Sequence, residues 1–244
     1  MRIRTNPVRS APSLIHAVAL VDETVAKTER RIRSLMRAFP PRLYALASQL
    51  VRAVLKGETY DWAIRQASVH KDAEQKKYAL LVLPLLKSYL QSVKPDWVRD
   101  LKVDPYQLGV GLQLPVKVHS LMKVGNRVEV LIIHFWAKPI SAIQKRAAIT
   151  IIKSRLAARE ELRHAELRWI DLCVPDGLKA RQFRTIGWET FQLMEPAELK
   201  AFSDILFEGW QLYLTNPEPP RPKKPRPDPN QPDIFDRPEE SPPT

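Results

Sequence analysis

Residues 130–136, Val-Leu-Ile-Ile-His-Phe-Trp, constrain this chain more than any other segment. Apart from His134 the run is apolar on both of the faces a strand presents. It follows Gly125-Asn126, a two-residue loop with glycine first that suits a type II′ hairpin, and Pro139 closes it. A short apolar run between turn signals, rich in β-branched and aromatic residues, reads as a strand buried on both faces. Such a strand is central in its sheet, and the sheet then requires flanking helices.

The neighbouring segments supply the other elements. Pro115 to Val124 alternates, with Val116, Val118 and Met122 on one face and Lys117, His119 and Lys123 on the other, as a half-exposed strand does. Ser141 with Gln144 forms a capping box that opens a helix running to about Arg163. Glu166 to Val174 and Arg181 to Met194 read as strands joined by the Pro175-Asp176-Gly177 turn. Glu195-Pro196 opens a last helix, with Leu199, Phe202, Leu206, Trp210 and Tyr213 on one face. Upstream, apolar residues from Leu14 to Phe39 recur at helical spacing until Pro40 and Pro41 stop the helix. Further helices are expected over Leu43 to Leu55, Thr59 to Ala67 and Asp72 to Val93, the last kinked at Pro84. The pattern predicts an α+β chain in three parts: a basic helical region over 1–71, a mixed sheet with flanking helices over 72–216, and a tail over 217–244.

Charge narrows the partners. The chain carries 39 Lys and Arg against 27 Asp and Glu, a net +12 that points to a polyanion. The surplus sits in residues 1–56 and 101–164, whereas 165–216 are acidic. Lys27, Arg30, Arg31, Arg33 and Arg37 project onto one arc of the first helix, where they could track DNA phosphates or simply face solvent. Lys117, Lys123 and Arg127 extend the set of candidate nucleic-acid contacts along the sheet.

Several classes are excluded or disfavoured. No apolar run approaches the ~20 residues of a bilayer span, so no membrane partner is expected. One cysteine permits no intrachain disulfide and no zinc site built on paired cysteines, which suits the cytoplasm. Seven glycines include neither Walker nor Rossmann spacing, so no nucleotide cofactor is expected. Although Met1 to Pro12 is Arg-rich and Leu14 to Val21 apolar, His16 interrupts the pattern and no cleavage signal precedes Asp22, so the segment is read as structure.

From residue 72 the order of elements is helix, two or three antiparallel strands, helix, strand, strand, helix. Over 72–215 this resembles the restriction-endonuclease-like nucleases. The resemblance implies an acid on one central strand and acid-x-Lys on the next, holding Mg²⁺ and assisting an attacking water. Here the alternating strand has no acid, His134-Phe135-Trp136 occupies the acid-x-Lys place, and Lys138 follows Trp136. No catalytic residue, metal or cofactor is therefore assigned, and the chain is read as leaning away from an enzyme. The competing enzyme reading is a divergent metal-dependent nuclease using Glu129, Asp171 and Glu189; a structural adaptor is a third reading. Asp171 with His134 across the sheet could also form an acid–base pair, against the plainer reading of a structural aspartate. The five histidines show no metal-ligand spacing, and Cys173 reads as a small buried hydrophobe.

The tail holds 11 of the 22 prolines, and its composition is that of a segment that does not fold alone. Its only large apolar residues, Ile234 and Phe235, stand in QPDIFD at 231–236. This resembles the sliding-clamp-binding peptide of bacterial replication and repair proteins, whose usual form is Gln, any residue, Asp or Ser, Leu, Phe. Gln231, Asp233 and Phe235 match, and Ile234 replaces Leu. The resemblance implies a partner: two apolar anchors enter a groove while Gln231 fixes the register. The functional expectation is a DNA-binding accessory factor of bacterial or mobile-element replication, repair or maintenance, docked on the clamp.

Overall fold

The computed structural model describes residues 11–38 and 43–216, without the side chains of Arg37, Ala38 and Trp188. The Pro40-Pro41 stop and the 231–236 peptide lie outside the described residues.

A five-stranded mixed sheet forms the middle layer. Its order is β1 (Trp97–Arg99), β4 (Ser120–Val124), β5 (Arg127–His134), β6 (Glu166–Asp171) and β7 (Arg184–Gly187). β5 and β6 pair in parallel; the other neighbours are antiparallel. The apolar run indeed lies at the centre, and Gly125 turns the β4–β5 hairpin with φ +60°, the left-handed geometry a type II′ turn requires of its first residue. A separate hairpin, β2 (Tyr106–Gly109) with β3 (Leu112–Leu114), precedes β4.

Helices cover both faces. α1 (Leu14–Val18), α2 (Val25–Ala38), α6 (Ala142–Ala157) and α7 (Pro196–Thr215) bury Val130, Ile132, Leu167 and Trp169 on one side. α3 (Ala45–Leu55), α4 (Tyr60–Ser68) and α5 (Ala73–Ser92) bury Met122, Leu131, Ile133 and Ile170 on the other. Successive residues of β5 thus enter opposite cores. The helices within 1–71 contribute to both cores, α1 and α2 to the first, α3 and α4 to the second. From α5 onward the elements of the main sheet follow as helix, three antiparallel strands, crossover helix α6 and a strand parallel to the third. The chain is an α+β fold with a mixed sheet and flanking helices.

Local chemistry accounts for the ends of these elements. The Ser141–Gln144 capping box opens α6 as expected, Asp72 accepts from Gln75 N–H at the start of α5, and α7 opens with Pro196 inside a Glu195–Glu198 box. Three expectations fail. The single helix from Leu14 is broken between α1 and α2, because Asp22 N–H donates to Thr28 Oγ1 and Lys27 N–H to Thr24 Oγ1, diverting groups a continuous helix would pair internally. The strand over Pro115 to Val124 is laddered only from Ser120. Val116 packs in the first core and Met122 in the second, so the alternation does not mark one continuous face. Of Arg181 to Met194, only Arg184–Gly187 pairs before a 3₁₀ turn at Trp188–Thr190.

Candidate functional site

The parallel pair β5 and β6 sets His134 directly opposite Asp171 at their carboxyl ends, both pointing toward α6 and α1. His134 Nδ1 lies 3.0 Å from Asp171 Oδ1, and the side chains are 2% and 1% exposed. The carboxylate only accepts, so Nδ1 donates to it. Nε2 is buried without a hydrogen-bond partner among the described residues. Lys145, in the first turns of α6, brings Nζ 2.5 Å from Asp171 Oδ2, and Cys173 N–H donates to Oδ1 at 3.2 Å. Burial pushes the Asp171 pKa up, but the His134 and Lys145 hydrogen bonds and charges outweigh it and hold the carboxyl below its ordinary range. The same neighbourhood raises the Cys173 thiol, first through burial and then through Asp171.

The loop after β5 carries Trp136, whose indole stacks on the His16 ring of α1 at 4.3 Å between centroids and 10° between planes. Ser13 Oγ lies 3.2 Å from His16 Nδ1. Burial, with His134 and Lys117 adding to it, lowers the His16 pKa to about 4, so the ring is neutral at pH 7. Beside this stack opens a cleft of about 230 Å³ between the α1–α2 segment and the β5–α6 loop, walled by Leu20, Leu35, Trp136 and Pro139 and edged by Arg31 and Lys138.

On the first-helix arc, Lys27 pairs with Glu23 at 2.7 Å, Arg31 with Asp22 at 2.7 Å, and Arg33 with Glu29 while lying over the Tyr213 ring. The α1–α2 break brings Asp22 and Glu23 to the start of α2, which a count of acids along one helix overlooks. Arg30 is exposed and enters no ion pair among the described residues, and the Arg37 side chain lies outside them. Lys117 is exposed before β4, Lys123 is half-buried on β4, and Arg127 lies 3.6 Å from Glu166. Gln231, Asp233, Ile234 and Phe235 lie outside the described residues.

The acids nominated for a nuclease are not gathered. Glu129 faces the α5 side of the sheet, held by Arg168 through two hydrogen bonds of 2.9 and 2.8 Å, whereas Asp171 faces the other side. Glu189 is exposed in the 3₁₀ turn. Among the described residues no group of three or more His, Cys, Asp and Glu is placed to hold a metal ion. Lys145 and His16 were not legible as partners of this site: each comes from a different helix, and no sequence spacing links them to His134. Comparison with protein-family models and with curated proteins gives no match.

Proposed function

We propose that the chain is a DNA-binding accessory factor of bacterial or mobile-element replication, repair or maintenance, cytoplasmic, non-cleaving, and recruited to the sliding clamp by residues 231–236. The observation that carries this reading is the sequence itself: Ile234 and Phe235 are the two large apolar residues of a proline- and charge-rich segment, behind Gln231 and Asp233, and a groove on a partner would take both. The basic surplus of the N-terminal and middle segments supports a polyanionic second partner. The order of elements supports a restriction-endonuclease-like scaffold whose acid-x-Lys place is taken by His134-Phe135-Trp136.

The test is retention on immobilised bacterial sliding clamp. The intact chain should be retained, and Phe235→Ala should not; equal retention of both, or of neither, would overturn the clamp reading. One observation favours a nuclease as the second reading: Asp171 stands beside Lys145, a carboxylate with a lysine. Among the described residues no group of three or more His, Cys, Asp and Glu is placed to hold a metal ion, so incubation with linear, supercoiled and branched DNA in Mg²⁺ or Mn²⁺ should leave the DNA intact. Cleavage abolished by Asp171→Asn would replace the first reading with the second.

A further inference from the structure

We propose that the cleft beside Trp136 receives one unpaired nucleotide, with its base against the indole and its phosphate toward Lys138 and Arg31. This rests on the DNA-binding reading and adds to it the form of nucleic acid recognised.

A base-binding site needs a flat aromatic surface that does not move away when a ring approaches. Trp136 has that support, because the near-parallel His16 ring backs it at 4.3 Å. An uncharged His16 lets the pair act as an extended aromatic platform rather than as a cation site. Stacking of this kind tolerates any base, since every base has a π-face. The volume, about 230 Å³, falls below the ~300–1,000 Å³ of pockets for drug-sized ligands and suits a single ring system. Leu20, Leu35 and Pro139 give it apolar walls, and the exposed Ser34 offers a hydroxyl at its edge.

Charge at the rim selects an anion. Lys138 is exposed and enters no ion pair among the described residues. Arg31 is fixed by its 2.7 Å bond to Asp22 and by donation to the Val21 carbonyl at 3.3 Å, which holds the guanidinium at the cleft wall. Asp22 pairs with Arg31 and also lies within the field of Lys138, so the three groups leave the rim one net positive charge. The cleft also lies just past the carboxyl end of β5, lined from that strand's loop by Trp136, Lys138 and Pro139. A blunt duplex keeps its bases stacked and cannot insert one here without unpairing it. A strand end, gap or overhang presents an unpaired base at no such cost.

The experiment measures binding of the full chain to a labelled blunt duplex and to the same duplex with a short single-stranded overhang, in one buffer. The overhang should bind about tenfold tighter, the scale of one stacked base. Trp136→Leu should remove that preference while leaving blunt-duplex binding intact. Because Trp136 is half-buried, Ser34→Phe provides a second variant, filling the cleft from an exposed position; it too should remove the preference with an unchanged circular dichroism spectrum. Equal binding of both DNAs by the unaltered chain, or an overhang preference that survives Ser34→Phe, would overturn the nucleotide site alone. Failure to bind either DNA would overturn the DNA-binding reading together with it.

Discussion

Asp171→Ala is expected to be among the most destabilising single changes in this protein. The carboxylate is 1% exposed, accepts from His134 Nδ1 and Cys173 N–H, and ion-pairs with Lys145 Nζ. Removing it leaves a cation whose side chain is only 15% exposed and a buried imidazole N–H without an acceptor. Breaking a buried pair from one side costs about 3–5 kcal/mol, a large share of the ~5–15 kcal/mol by which domains are stable. Lys145→Met should also destabilise, and Asp171→Ala with Lys145→Met should cost less than the two changes summed, by about 1–3 kcal/mol, since neither charge is then stranded. Urea unfolding followed by circular dichroism and tryptophan fluorescence measures all three. The pH dependence offers an independent check. The folded pKa of Asp171 lies below its unfolded value of ~3.9. Its contribution is therefore fully present above about pH 4 and is lost as the pH falls below that. Asp171→Ala should lack this loss. A cost below about 1 kcal/mol at pH 7, additive single changes, or an unaltered profile below pH 4 would show that Asp171 is not the buried anchor of His134 and Lys145.

Three further outcomes are expected. Burial lowers His16 to about 4 and His119 to about 3, so between pH ~6.5 and those values the unfolded chain binds more protons; stability should fall as the pH is lowered through that range, by up to ~1.4 kcal/mol per unit and group, and His16→Gln should flatten the slope measured by urea titrations across it. Arg30→Gln should flatten the salt dependence of duplex binding by about 1 unit, at ~0.9 per phosphate contact, whereas Arg33→Gln, which loses its Glu29 bond, should lower thermal stability and leave that slope unchanged. Gly209→Ala should destabilise by about 1 kcal/mol or more in thermal unfolding, because an added Cβ would lie 2.9 Å from Thr28 Cγ2 and 3.3 Å from the Glu29 backbone N, outweighing the ~1 kcal/mol that alanine gains in a helix.

Elements whose signals are local were legible in the sequence. The Val130–Trp136 run, the Gly125 turn and the Ser141 capping box are each set by adjacent residues, and they gave the central strand, its hairpin and the crossover helix. Apolar periodicity misled where two short elements both face one core. Leu14, Val18 and Val21 are buried with Ile32 although a turn intervenes, so the spacing continues while the helix does not. The β2–β3 hairpin and β1 are each three or four residues long, too short to show a period. Of the candidate site, the His134–Asp171 pair was legible because both residues interrupt apolar strands. Lys145, His16 and the cleft depend on how helices α6, α1 and α2 dock on the sheet, which no spacing within one element encodes.

A chain that joins DNA to the clamp should distinguish three immobilised targets by affinity: DNA alone, clamp alone, and clamp loaded on circular DNA. The tail peptide alone should bind with about micromolar affinity, because ordering it opposes the contacts it makes. With two sites engaged on one assembly, the second contact becomes intramolecular, so clamp-loaded DNA should retain the chain at least tenfold more tightly than either target alone. Phe235→Ala should reduce that affinity to the level of DNA alone. If clamp-loaded DNA binds the chain no better than bare DNA, or the Phe235→Ala chain is retained as tightly as the unaltered one, the chain does not bridge DNA and clamp through residues 231–236.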